Sequence, residues 1–338
     1  MRRPAVLASL VLAGFAGTAD ARRLPSPPRP TPVEEDFWRD VIEPNGVEVG
    51  KLVDAARQAT KIADEVLQMD AEWAVDQRMR YWVDTYRLMR EARRLSPHNA
   101  DVLAILGRAA DELGKTHEAI EALEACVRER GREKAGAEVV GRLGAIHLRL
   151  GNRDEAIRWL QLVPAGIRVD NVQSLVHLAN ALAARGQVAA AVDVLVNSLP
   201  ATPPAYYTNE LALATFALAT LYDRDEQRTA AFEVLERLRS TLQTQLGPQV
   251  QNSLAMMRFA PPEDRHYYQA LLYEVTEQYV EARAEWALYA AAGDSPWRAR
   301  ALDHVRAIDA KLRARPAQAA VPATTNHPPP PPRRPRRP

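Results

Sequence analysis

Seven histidines, one cysteine and a knot of charge beside a double proline are the residues of this 338-residue chain whose types are most often put to chemical use. The histidines are His98, His117, His147, His177, His266, His304 and His327; none pairs with another at i, i+4, and no His-Glu-x-x-His arrangement occurs, so no helix face offers two imidazoles to a metal. Cys126 stands alone, which excludes an internal disulfide and a cysteine-ligated zinc site. Its place within a helical apolar pattern reads as a buried, inert thiol. Glu263, Asp264 and His266 follow Pro261-Pro262, where charged residues are expected to cap the next helix rather than to act as an acid–base pair. There is no glycine-rich phosphate loop, no Gly-x-Ser-x-Gly elbow and no strand pattern to carry either. These residues imply no cofactor, no metal and no catalytic group. Six aromatics, Tyr267, Tyr268, Tyr273, Tyr279, Trp286 and Tyr289, suit either a surface that stacks sugar rings or the packing of a helical hairpin.

The elements that would position such residues are bounded by unusual chain ends. Arg2 and Arg3, an apolar stretch from Ala5 to Gly17 and the Ala19-Asp20-Ala21 triplet have the three parts of a secretory leader, with cleavage expected after Ala21. Of 25 prolines, five lie between Arg22 and Val33 and nine from Pro316 onward. Such segments cannot bury enough apolar surface to fold and read as extended linkers. The expected organisation is a leader over 1–21, a proline-rich linker over 22–33, a folded body over 34–315 and a disordered tail over 316–338. The tail carries Arg333, Arg334, Arg336 and Arg337 and no acid, which suits a tether to anionic lipid or cell-wall material. With formal charge +1 overall, +1 in the leader and +4 in the tail, residues 22–315 carry −4, which argues against nucleic acid as the body's partner.

The body repeats itself. Leu103, Leu106-Gly107, Ala110, Leu113-Gly114, Ala119 and Leu123 recur as Val140, Leu143-Gly144, His147, Leu150-Gly151, Ala156 and Leu160, and again as Leu175, Leu178-Ala179, Leu182, Gly186, Ala191 and Leu195. Small residues at Gly107, Gly144 and Ala179, with Ala119, Ala156 and Ala191 as counterparts, let two helices approach closely. Gly114, Gly151 and Gly186 fall where a first helix must end in a left-handed cap before a second begins. Each unit is therefore a helical hairpin. Weaker copies follow at Leu218-Ala219, Tyr222, Ala231 and Leu235, and at Tyr273, Ala282, Trp286 and Tyr289. The longer step between these two leaves room for an extra helix near Gly247 to Phe259. Upstream, Val47 to Leu67 and the set Thr85, Met89 and Ala92 fit one more pair. Ala299, Leu302, Val305, Ile308 and Leu312 after Pro296 read as a closing helix.

At these residues the chain resembles the tetratricopeptide-repeat family, with Leu103 and Val140 in place of its Trp, Ala110 and His147 of its Tyr, and Leu123 and Leu160 of its Phe. The resemblance implies an all-α, right-handed α-solenoid of antiparallel helix hairpins with a C-terminal capping helix. It also implies a groove, lined by the first helices, that receives an extended peptide or a helix of another protein. By register that groove would hold Arg108, Asp111, Glu112, Arg149, His177, Asn180, Thr220 and Arg224. A clamp for a C-terminal carboxylate is not expected, because Ala104 and Gly141 stand where its lysine or neighbouring residues would be. The function that follows is a non-catalytic scaffold of the periplasm or envelope, binding other proteins and assisting assembly of an envelope complex. The alternative is a helical enzyme or glycan-binding protein acting on cell-wall material, for which the six aromatics would serve.

Overall fold

The computed structural model describes residues 45–66, 72–202, 204, 206–243, 246–257, 259, 261–293 and 295–314. The leader, the 22–33 linker, the first residues of the expected body and the tail with Arg333, Arg334, Arg336 and Arg337 lie outside the described residues. Among those described there are fourteen α-helices and no strand. They are α1 (Gly46–Val66), α2 (Glu72–Leu95), α3 (Ala100–Glu112), α4 (Thr116–Arg130), α5 (Ala137–Arg149), α6 (Arg153–Leu160), α7 (Val172–Ala183), α8 (Val188–Val196), α9 (Asn209–Arg224), α10 (Arg228–Leu242), α11 (Leu246–Met256), α12 (Asp264–Val275), α13 (Tyr279–Ala291) and α14 (Arg298–Ala314). The fold is an all-α solenoid of hairpins: α3–α4, α5–α6, α7–α8, α9–α10 and α12–α13 are the five repeats, preceded by α1–α2 and closed by α14. The insertion is α11, whose Val250 and Leu254 are fully buried beside α9, α10 and α12.

Local chemistry sets the hairpin ends. Asn99 accepts from the backbone N–H groups of Asp101 (3.0 Å) and Val102 (3.1 Å), which caps α3. The turns within the first three repeats pass through Gly114, Gly151 and Gly186 at φ +72 to +76°. In the last two repeats the same positions hold Glu226 (φ 57°) and Glu277 (φ 64°), so the turn is imposed there at a cost that glycine avoids.

Packing then joins the hairpins. One continuous cluster of buried apolar residues runs from Leu103 to Ile308. Leu103, Leu123, Leu143 and Leu160 are at most 1% exposed, each stabilising by about 1.5–3 kcal/mol. At Gly107 and Gly144 the nearest side chains of the second helix are leucines. A Cβ on Gly107 would lie 2.5 Å from Leu123 Cγ, and one on Gly144 would lie 2.3 Å from Leu160 Cγ. The glycines are thus sockets for leucines one turn beyond Ala119 and Ala156. Cys126 is buried in this core as a free thiol, and burial pushes its pKa up, away from the reactive thiolate.

The C-terminal half is crossed by buried charge. Arg224 and Asp264 pair at 3.0 Å with side chains 1% and 2% exposed. Arg224 also donates to Asn180 Oδ1 (3.1 Å) and lies over the rings of Trp297 and Tyr267, at 4.1 and 4.6 Å from their centroids. Its neighbour Asp223 accepts from Tyr267 (2.7 Å) and is paired with Arg300 and with His304 Nε2 (3.0 Å). His304 Nδ1 reaches Glu274 (2.7 Å), and the imidazole stacks on Trp286 at 4.3 Å. Burial alone would depress the His304 pKa, but its bonds to Asp223 and Glu274 push it up to about 9. Burial would likewise raise Asp223 and Glu274, yet the His304 bond holds both below the usual carboxylate range. This network corrects two expectations. The inner face of α14 is Ala301, His304 and Ile308, while Leu302 is 39% exposed, because His304 turns the helix toward the two carboxylates. Asp264 does not cap α12 with its side chain but enters the core to meet Arg224.

Two outcomes follow. Gly144→Leu should destabilise the chain by roughly 1–3 kcal/mol or more through overpacking against Leu160, whereas Gly50→Ala, where a Cβ meets nothing within 4 Å, should be neutral or stabilising; thermal melts followed by circular dichroism compare them. Because the folded pKa of His304 lies above its unfolded value of about 6.5, its contribution is fully present below pH ~6.5 and is lost as pH rises through about 9. Denaturant unfolding of wild type and His304→Gln should therefore differ by on the order of 3 kcal/mol at pH 6 and converge by pH 10. A difference that does not shrink with pH would show that the charge of His304 is not what holds α14.

Candidate protein-binding cleft

The first helices of successive hairpins place polar and charged residues at helical spacing along one side. On α3 these are Arg108, Asp111 and Glu112; on α5 they are Glu138, Arg142 and Arg149; on α7 they are Gln173, Ser174 and His177. Together with Asp64 of α1 and Arg78 of α2 they line a cleft of about 490 Å³. Gly141 shapes its floor, since a Cβ there would fall 2.0 Å from Ser174 Oγ. A side chain at this position would displace the Ser174 hydroxyl from the floor.

Charges of opposite sign alternate across the cleft. Asp64 pairs with Arg108 (2.7 Å), and Arg108 reaches Glu138 (3.4 Å). Arg78 pairs with Glu112 (2.6 Å), Glu112 with Arg142 (3.1 Å), Arg142 with Asp111 (2.8 Å), and Asp111 with Arg149. Burial works against the Arg142 charge, but Glu112 and Asp111 raise its pKa and keep it ionised. Trp82, fully buried, backs Arg108 and Arg78, whose guanidinium carbons lie 5.0 and 5.8 Å from its ring centroid. The acids nearest solvent are Glu138 (59% side-chain exposure), Asp170 (55%) and Asp64 (45%), above a floor in which Asp111 is 2% exposed. Such a surface offers ion pairs and hydrogen bonds rather than an apolar face.

Five of the eight residues expected from register, Arg108, Asp111, Glu112, Arg149 and His177, line this one cleft. The other three lie elsewhere. Asn180 and Arg224 belong to the buried C-terminal network, and Thr220 is fully buried with its hydroxyl donated to Phe216 O at 2.9 Å. Asn180 and Arg224 sit inward because α12 lies against them: Tyr268 donates to Asn180 Oδ1 at 3.0 Å and Asp264 pairs with Arg224 at 3.0 Å. Arg78, Arg142, Asp64, Glu138, Gln173 and Ser174 went unrecognised. Arg142 lies seven residues before Arg149, which places both on one helix face and was a usable signal; Asp64 and Arg78 carried none, since they arrive from the upstream pair.

The aromatics are divided too. Tyr267, Tyr268, Trp286 and Tyr289 are fully buried, and Tyr267 meets Trp286 and Tyr289 edge to face at 4.6 and 5.0 Å. They fill the last hairpin and leave no sugar-stacking surface among themselves. His266 Nδ1 reaches Glu285 at 2.7 Å, a pairing between α12 and α13 within that hairpin.

The tetratricopeptide-repeat family model matches residues 100–131, the α3–α4 hairpin. No curated protein matches the chain. Among solved structures it is similar to nearly identical TPR-like repeats from Podosopora anserina, at 23% identity over 54% of this chain and 93% of that one, with a TM-score of 0.41. It is also similar to the C-terminal part of a TPR repeat-containing protein from Cytophaga hutchinsonii (16% identity, 80% of this chain and 98% of that one, TM-score 0.39). A third is the APC/C heterotetramer Cut9–Hcn1 (17% identity, TM-score 0.43), where 77% of this chain spans 46% of that one. The repeat model thus matches one hairpin, α3–α4, and helical hairpins are built before and after it.

Proposed function

We propose that this protein is a non-catalytic scaffold that holds a partner protein in the cleft between α3, α5 and α7, and that it works in the cell envelope after export. The observation that carries the reading is the cleft itself. Side chains from consecutive first helices converge on one open, polar surface, and their ion pairs satisfy one another rather than isolating a nucleophile or an acid–base couple. An envelope location is supported by the basic start, apolar stretch and small-residue site at the N-terminus. The partner would contribute an extended or helical segment whose polar groups replace part of the charge ladder, and assembly of an envelope complex is the task such a holder serves.

Glu138 and Gln173 are exposed positions of the cleft, so Glu138→Lys with Gln173→Lys should leave the melting temperature within a few degrees of wild type. Partner capture from an envelope extract should fall at least tenfold. Equal capture by both proteins would remove the cleft from the interaction, and retention on isolated cell wall in place of protein capture would favour the glycan-binding alternative. The export reading has its own check: the native protein should begin at Arg22 by intact-mass measurement, and a mature chain that retains Met1 contradicts it.

A further inference from the structure

A second cleft, of about 300 Å³, shares no residue with the charged one. Leu211, Leu218 and Tyr222 line it from one face of α9, Val234 from α10, and Leu199 and Tyr207 from the segment that joins α8 to α9. Its walls are aliphatic and aromatic, and Glu233 and Arg237 of α10 are the charged residues among those that line it. A groove of this kind takes a ligand with apolar ridges and unpaired carbonyl oxygens, since tyrosine rings pack against the ridges while phenolic hydroxyls donate to the carbonyls.

The chain carries such a ligand. Pro328 to Pro332 are five consecutive prolines, each with an apolar ring and no N–H to occupy a neighbouring carbonyl, and Arg333 follows them with a charge opposite to that of Glu233. Reach is sufficient. The last helix touches α9 at Asp223, beside Tyr222, where His304 Nε2 lies 3.0 Å from the carboxylate. From His304 to Ala314 is roughly 15 Å of helix, and packed helix axes are about 10 Å apart. The Tyr222 end of the cleft is thus roughly 25–30 Å from Ala314, whereas an extended chain from there to Pro328 spans roughly 43 Å at ~3.1 Å per residue.

We propose that Pro328–Pro332 of the chain's own tail seat in the Tyr207–Tyr222 cleft, with Arg333 beside Glu233, forming an intramolecular clasp. The clasp covers apolar surface between α8 and α10 and holds the tail arginines against the solenoid until a competing proline-rich or anionic partner draws them off. It does not rest on the charged cleft and stands or fails separately.

A fluorescent peptide of residues 326–338, titrated into the chain truncated after Thr325, reads the site directly by anisotropy. The truncated chain keeps every described residue. Saturable binding is expected, at least tenfold weaker to the full-length chain, whose site is already filled. Tenfold weakening is also expected with Tyr207→Ala in the truncated chain, and with a peptide carrying Pro329→Ala, Pro330→Ala and Pro331→Ala. In the full-length chain, tryptic cleavage after Arg333 should be several-fold faster with Tyr207→Ala than in wild type at equal melting temperature. Absence of saturable binding, equal binding to truncated and full-length chains, indifference to Tyr207→Ala in binding or in cleavage rate, or tail-dependent dimerisation of the full-length chain would each overturn the intramolecular clasp.

Discussion

A two-helix hairpin has more apolar surface than its two members can hide from water, and the rest of this structure depends on that surplus. Leu123 and Leu160 reach into sockets opened by Gly107 and Gly144, which seals each hairpin internally. Residues such as Val140, Leu143 and Leu175 remain to be covered by the next hairpin in line. Stacking is therefore obligatory, and the core becomes one continuous body from the α3–α4 pair to α14. The ends are where the surplus must be stopped, by α1–α2 on one side and by α14 on the other.

Stacking also decides where charge can live. First helices are packed on both flanks, so the polar residues left on their remaining side are crowded against those of the next hairpin. Water is partly excluded there, and charges survive only by pairing. Asp111 is held by Arg142 and Arg149, and Asp223 by Arg300 and His304. The two aspartates are alike in standing at the end of a first helix, and they differ in what lies over them. Among the described residues, the ladder around Asp111 lines an open cleft. At Asp223 the capping helix α14 folds over the same kind of position, and the charges become an interior network that fastens the cap. One sequence device, an acidic residue near the end of the first helix, thus yields a binding surface in one half and a structural lock in the other.

Much of this was legible in the residues themselves. The three clear hairpins, the insertion helix and the left-handed turns at Gly114, Gly151 and Gly186 follow from helical periodicity and from the special backbone freedom of glycine, both local properties written along the chain. The clustering of Arg108, Asp111, Glu112, Arg149 and His177 was also readable, because a fixed repeat carries its register from one hairpin to the next. Glu226 and Glu277 were invisible as turn residues, since a neighbouring helix can force a left-handed conformation on a side chain that would not choose it.

What the tertiary structure alone decided is which polar residues are inside. Arg224, Asn180 and Thr220 have the same sequence signature as Arg108 and Arg149, a polar residue on an otherwise apolar first helix, yet they are buried under α12 and α14. The pairings Arg224 with Asp264 and Asp223 with His304 span 40 and 81 residues, with the inserted α11 between their partners. The physical reason is the range of the forces involved. Periodicity, caps and turns are settled within a few residues and can be read from composition and spacing, whereas desolvation and ion pairing depend on which helix happens to lie overhead, and that is fixed only when the whole stack has formed.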